Sequence, residues 1–192
     1  MIESNSRVAM VSFHSCPLAT LGGREAGGMN VYVRELGREL GRRGCRVDVF
    51  TRAKLPEVPQ VVPFGEGARV IHIKAGRVGP CDRGLLHRYV PEFSQGVLEF
   101  VRRHGLRYDL IHSHYWLSGA AARPLRSAWG VPLVHMCHTL GVVKNLAARS
   151  VDEFEPPGRI AVEAEVLRFA DCIVAPTPLE RAQLRWFHKV PE

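Results

Sequence analysis

Short, almost continuously apolar runs, each followed by a longer stretch of helical period, leave few folds open to this chain. The runs fall at residues 7–13, 46–51, 69–73, 109–113, 132–137 and 171–175. A strand half-exposed to water alternates apolar and polar residues, whereas these runs barely alternate. They read as strands buried on both faces. Helical patterns fill the intervals at 29–43, 89–104, 116–129, 142–148, 160–169 and 178–187. Gly44 is placed to stop the first helix and Pro178 to start the last. The Pro-rich stretch through Pro56, Pro59 and Pro63 reads as a loop, and 75–84 as a turn-rich loop. Strands alternating with helices predict an α/β fold, a Rossmann-like parallel sheet with helices on both faces. Ligands of such sheets bind at the carboxyl ends of the strands. The polar residues expected there are His14 and Ser15, Thr51 and Arg52, His114 and Tyr115, and His138 and Thr139.

The 192 residues suit a single domain, taken as 1–192, with 46% apolar and 23% charged residues. No apolar run approaches a membrane span, so no stable membrane insertion is expected. The polar start, Met1 to Arg7, has no apolar signal-peptide core, and a cytoplasmic protein is expected. Five cysteines, odd in number and without C-x-x-C spacing, fit reduced thiols. The formal charge is +7, but the arginines are scattered and do not alternate with aromatic residues. A nucleic-acid partner is therefore not expected, and a small anionic substrate explains the charge.

Gly22, Gly23, Gly27 and Gly28 lie between the first strand and the first helix. They let backbone approach a ligand and leave the first N–H groups of the helix free. The competing reading is a flexible turn. The spacing is not G-x-G-x-x-G, and strand two ends in Thr51-Arg52 rather than an acid, so the dinucleotide fingerprint is absent. His112 and His114 project from one side of a strand end. A zinc site would recruit His135, His138 or Cys137, but no acid or thiol spacing matches. His112 and His135 read better as core histidines with hydrogen-bonded rings. Cys137 cannot pair with His138 as a nucleophile, because adjacent strand residues face opposite ways. Tyr115, Arg83, Lys144 and Arg159 fall on the ligand side and together suit a phosphate. Glu163 and Glu165 read as surface residues, and Met29 as core.

Four stretches carry a resemblance: Gly27-Gly-Met-Asn-Val-Tyr-Val33, Val49-Phe-Thr-Arg52, Asp109-Leu-Ile-His-Ser-His-Tyr-Trp-Leu-Ser-Gly119 and Val131-Pro-Leu-Val-His-Met-Cys-His-Thr-Leu140. They resemble the N-terminal half of the retaining GT-B glycosyltransferases of family 4, the inositol-phosphate branch more than the sucrose-phosphate branch. The resemblance implies transfer of a sugar from a nucleotide-sugar, a UDP-sugar above all, to a hydroxyl of a small phosphorylated sugar or cyclitol. It implies His138 as the catalytic residue at the donor sugar. It implies Gly27 and Gly28 at the donor, and Asn30, Arg83, Tyr115, Thr139 and Arg159 at the acceptor. Arg83 stands where the inositol-phosphate enzymes carry a lysine. The resemblance implies no metal and no other cofactor. The implied partners are small-molecule substrates and a C-terminal nucleotide-sugar domain of the same protein, absent from this chain, with room for a homodimer. This half alone is expected to be inactive. The alternatives are a non-catalytic α/β module that binds a phosphorylated small molecule, and a zinc hydrolase built on the histidines.

Overall fold

The computed structural model describes residues 5–19, 27–77, 79, 83–156 and 158–191, with Arg83 described by its backbone only. Seven strands form one sheet: β1 (Arg7–Val11), β2 (Arg46–Arg52), β3 (Val61–Gly65), β4 (Ala68–Ile73), β5 (Leu110–His114), β6 (Leu133–Met136) and β7 (Cys172–Ile173). The helices are α1 (Gly28–Arg42), α2 (Val90–Arg103), α3 (Trp116–Trp129), α4 (Gly141–Ala147), α5 (Arg159–Phe169) and α6 (Pro178–His188). Short 3-10 helices, Arg83–Tyr89 and Val151–Glu153, precede α2 and α5. The strand order is β3-β4-β2-β1-β5-β6-β7, parallel throughout except that β3 runs antiparallel to β4.

Alternate residues of β1 serve opposite faces, which is why its sequence is apolar throughout. Val8 and Met10 pack with Val33 of α1 and with Val47 and Val49 of β2. Ala9, Val11 and Phe13 pack with Phe93 and Val97 of α2 and Leu117 and Ala121 of α3. Each layer therefore removes one face of the sheet from water, and burial of these side chains is the main source of stability. Leu140, Leu167 and Leu184 join α5 and α6 in a smaller cluster behind β6 and β7.

β3 corrects the reading of the Pro-rich stretch as a loop. It is an edge strand of the sheet, with Val61, Pro63 and Gly65 exposed, so it carries no apolar run. Pro63 is tolerated because an edge strand needs only one side of its ladder. The turn after β3 is pressed against α1: a Cβ on Gly41 would lie 1.8 Å from the Glu66 carbonyl oxygen.

The order of connections sets the site. From β1 the chain steps to β2 and β4 on one side, then returns to β5, β6 and β7 on the other. β1 pairs with both β2 and β5, through Val8 with Val47 and Leu110. A crevice opens where the order reverses, outside the carboxyl ends of β1 and β5. Gly41→Ala tests the packing of the β3–β4 turn. Alanine is the better helix former by about 1 kcal/mol, yet the contact with backbone should make the variant less stable by about 1–3 kcal/mol in urea unfolding.

Candidate functional site

A cleft of about 980 Å³ lies at that reversal. Its walls come from the ends of β1, β2, β5 and β6 and from segments that follow them. His14 and Ser15 follow β1, Tyr115 and Trp116 follow β5, and His138 and Thr139 follow β6. Gly27, Gly28 and Asn30 enter from the start of α1, and Lys144 and Glu155 from α4 and the segment before α5.

At the start of α1, the Gly27 N–H donates to Asn30 Oδ1 (3.0 Å), and Asn30 Nδ2 donates to the Cys16 carbonyl (2.7 Å). Asn30 thereby ties the glycine strip to the segment after β1 and is itself buried. A Cβ built on Gly27 or Gly28 meets nothing within 4 Å. Neither has a positive φ, so the fold itself does not demand glycine at either position.

The ends of β5 and β6 hold strained backbone. Tyr115 and His138 have φ of 75° and 61°, in the left-handed region that side chains disfavour. Each such residue costs about 1–3 kcal/mol and persists only where its surroundings determine it. The Tyr115 N–H donates to the Met136 carbonyl (2.9 Å). Its ring packs 4.7 Å from the His14 ring and 4.7 Å from the Arg159 guanidinium. His138 is held through its ring: Nε2 lies 3.0 Å from His114 Nδ1, so one nitrogen donates and the other accepts. Tyr32 of α1 presents its ring edge-on to both imidazoles.

Burial keeps this histidine group neutral. His138 is pushed down to about 4 by burial. His112 is likewise pushed to about 4, by burial and then by His138. Burial takes His135 to about 3, and His114 falls well below the usual range. His138 is therefore an uncharged hydrogen-bonding group at neutral pH.

Behind Thr139 and Tyr115, Arg159 is 1% exposed, and each guanidinium nitrogen lies against an oxygen. Nε donates to Glu163 Oε1 (2.7 Å), Nη2 donates to the Thr139 hydroxyl and carbonyl (2.9 and 3.1 Å), and Nη1 lies 2.6 Å from Glu155 Oε2. Glu163, 2% exposed, uses its second oxygen to accept the Gly141 N–H (2.8 Å) at the start of α4. Lys144 Nζ donates to the other oxygen of Glu155. Burial raises the Glu155 carboxyl, but the hydrogen bonds from Lys144 and Arg159 outweigh it and hold the group below its usual range. Gly158, at φ 88°, makes the left-handed turn into α5 that aims Arg159 at this cluster.

The sequence profile of the family described as "Glycosyl transferase 4-like domain" matches residues 27–192. The chain belongs to that family. Two similar relatives are D-inositol 3-phosphate glycosyltransferases. That of Corynebacterium diphtheriae is 44% identical over 178 residues, 93% of this chain and 42% of the relative. That of Kineococcus radiotolerans is 46% identical over 183 residues, 95% of this chain and 42% of the relative. The chain thus spans less than half the length of these curated relatives. Among solved structures, sucrose-phosphate synthase from Thermosynechococcus elongatus superposes with a TM-score of 0.89 at 35% identity, over 98% of this chain and 47% of that one. The sheet and its helices are those of a GT-B N-terminal domain.

On this glycosyltransferase fold, six of the eight residues given a catalytic, donor or acceptor role meet in the cleft: Gly27, Gly28, Asn30, Tyr115, His138 and Thr139, joined by His14, Ser15, Arg52 and Lys144 from the expected ligand side. Arg159 lies directly behind Thr139 and Tyr115 rather than at the surface. The Arg83 side chain, and Gly22 and Gly23, fall outside the described residues, although Gly84 lines the cleft. Arg52 is buried at the cleft wall and donates to the Ala75 and Arg77 carbonyls (3.3 and 3.1 Å). Met29 both packs against the core and lines the cleft. Burial pushes the Cys137 thiol up, away from a nucleophilic thiolate. Among the described residues, no three His, Cys, Asp or Glu side chains are grouped to hold a metal ion, and no helix is long and apolar enough to cross a membrane.

Two readings need correction. Glu163 is not a surface residue; only Glu165 is, paired with Arg123 at 3.6 Å. The available signal was its spacing four residues from Arg159, which puts an acid and a base on one face of α5. His112 is buried as expected, but its Nε2 has no hydrogen-bond partner, whereas His135 Nδ1 pairs with the Ser113 hydroxyl (2.8 Å). His112 instead lies against His114, with ring centroids 4.2 Å apart.

Two stability outcomes follow from these contacts. Unfolded histidines titrate near 6.5, while His112 and His138 stay neutral in the fold down to about 4. Below about pH 6.5 the unfolded chain binds more protons, so stability is fully present above that value and falls as pH drops towards 4. Urea unfolding at pH 7.5, 6.0 and 5.0 should show a progressive loss of stability. Separately, Arg159→Ala should cost about 3–5 kcal/mol, because Glu163 is left buried and unpaired. Adding Glu163→Gln should recover part of that loss in the same assay.

Proposed function

We propose that this chain is the acceptor-side half of a retaining glycosyltransferase. The reaction moves a sugar from a nucleotide-sugar, a UDP-sugar in this reading, to a hydroxyl of a small phosphorylated sugar or cyclitol. The observation that carries the proposal is the convergence, in one cleft, of an open glycine strip, a neutral histidine and a basic cluster. The names of the two relatives quoted contain inositol 3-phosphate, and that of the similar structure contains sucrose phosphate. In this reading a second domain supplies most nucleotide contacts, which accords with relatives of which the chain spans 42%. Closure of the two halves would exclude water and protect the donor from hydrolysis.

Gly27 and Gly28 let donor phosphates approach backbone at the start of α1, where the helix dipole favours negative charge. Neutral His138 hydrogen-bonds the donor sugar. Asn30 contacts the acceptor hydroxyls, while Tyr115, Thr139 and Arg159 hold the acceptor phosphate, a role the family resemblance extends to Arg83. The bond from the anomeric carbon to the leaving phosphate breaks as the acceptor oxygen bonds on the same face. The acceptor proton passes to the leaving phosphate, so no side-chain base is needed. The protein contributes positioning, and no metal ion takes part in this reading.

Calorimetric titration with inositol 3-phosphate, fructose 6-phosphate and plain inositol tests the acceptor assignment. One phosphorylated compound should bind saturably and inositol should not. Arg159→Ala is a poor control because the side chain is part of the packed interior. Lys144, half exposed, is the better one. Lys144→Ala should weaken phosphate binding by about tenfold, in line with about 1.5 kcal/mol for a hydrogen bond to a charged group. Equal binding of inositol and its phosphate would remove the phosphate from the assignment.

A further inference from the structure

The basic cluster of the cleft already holds an anion, and that anion belongs to the protein. Arg159 spends Nε on Glu163 and Nη2 on Thr139, contacts that are packed and tie secondary structure together. Nη1 is the one edge left, and Glu155 occupies it. The same carboxylate accepts from Lys144. Glu155 lines the cleft, and its side chain is only 11% exposed. Its backbone N–H is anchored separately to Asn145 Oδ1 (2.9 Å), so the carboxylate can swing by rotation of its own side chain while the backbone stays in place. Lys144 and Arg159 are balanced in charge by Glu155 and Glu163. A ligand anion added to this cluster meets no net positive charge unless Glu155 withdraws.

Resting on the acceptor reading above, we propose that Glu155 is a specificity-determining residue: its carboxylate is the internal occupant of the anion position, and an acceptor's phosphate binds by exchanging with it. The exchange selects by charge. A monoanionic group offers Lys144 and Arg159 nothing that Glu155 does not already supply. A phosphate monoester, close to a dianion at neutral pH, offers more charge and more acceptor oxygens to the same two donors. Water-solvated Glu155 is then the other product of binding. A carboxylate serving only as a tether between α4 and α5 would have the opposite consequence, since removing a tether loosens the site.

The test compares the purified protein with Glu155→Gln and Glu155→Asp by calorimetry, using inorganic phosphate and inositol 3-phosphate as probes. Melting curves run alongside establish that each variant is folded. Glutamine keeps the shape without the charge, and aspartate withdraws the carboxylate by one methylene. Glu155→Gln should bind inorganic phosphate at least about tenfold more tightly, equivalent to about 1.4 kcal/mol, and Glu155→Asp should gain in the same direction by less. Lys144→Ala placed on Glu155→Gln should remove most of the gain. Unchanged or weaker phosphate binding in the folded variants overturns the exchange, including the case in which no variant binds phosphate at all. If the variants gain phosphate affinity but inositol 3-phosphate binds no better than inorganic phosphate, the exchange stands and the acceptor assignment fails. If inositol 3-phosphate binds the unaltered protein well and neither variant gains, the acceptor assignment stands and the exchange fails.

Discussion

The ligand side of this domain depends on how one buried guanidinium is satisfied. Arg159 sits at the first turn of α5 with essentially no exposure, so its charge and donors must be met inside the protein. They are met by groups from separate places: Glu163 on its own helix, Thr139 after β6, and Glu155 in the segment before α5. Glu163 extends the chain of contacts to the first N–H of α4. Tyr115, after β5, packs its ring against the same guanidinium. Buried ion pairs are poor sources of net stability but strongly favour one arrangement over others, because any rearrangement strands a charge. Here the arrangement they select joins the end of β6, through Thr139, to α5 and the start of α4.

The neighbouring histidine group is organised by neutrality rather than charge. His112, His114, His135 and His138 share a small volume, and protonation of any one would place a cation beside others with no carboxylate among them. Their low proton affinity follows from burial first and from mutual repulsion second. The result is one cleft lined both by an uncharged His138 and by the compensated charges of Lys144 and Glu155, with Arg159 behind them. A sugar, rich in hydroxyls but uncharged, and an anionic group would find different environments within one cleft. The backbone strain at Tyr115 and His138 lies just after β5 and β6, where their rings contact Arg159 and His114 respectively.

Much of this is legible in the amino-acid sequence. The order of strands and helices was readable because strands buried on both faces must be apolar along their length, and helices must carry period 3.6 to cover them. Tyr115, His138 and Thr139 could be named because strand ends in a parallel sheet are where ligand-facing polar residues collect, Gly27 and Gly28 because glycines precede a helix start, and Asn30 through the family resemblance alone. β3 was missed because an exposed edge strand containing Pro63 carries no such pattern and owes its existence to pairing with β4. Glu163 was missed because a carboxylate is ordinarily solvated, and its burial depends on Arg159 being buried too.

The amino-acid sequence by itself therefore determined the α/β class, the succession of elements, and which strand ends carry polar side chains, since each follows from local periodicity and from the burial a parallel sheet requires. Only the tertiary structure decided that Arg159 points inward, that Glu155 fills its remaining edge, that four histidines share one neutral pocket, and that Tyr115 and His138 adopt left-handed backbone. Those features arise from groups far apart in the chain competing for the same small space, where the dielectric is low and polar contacts are strong.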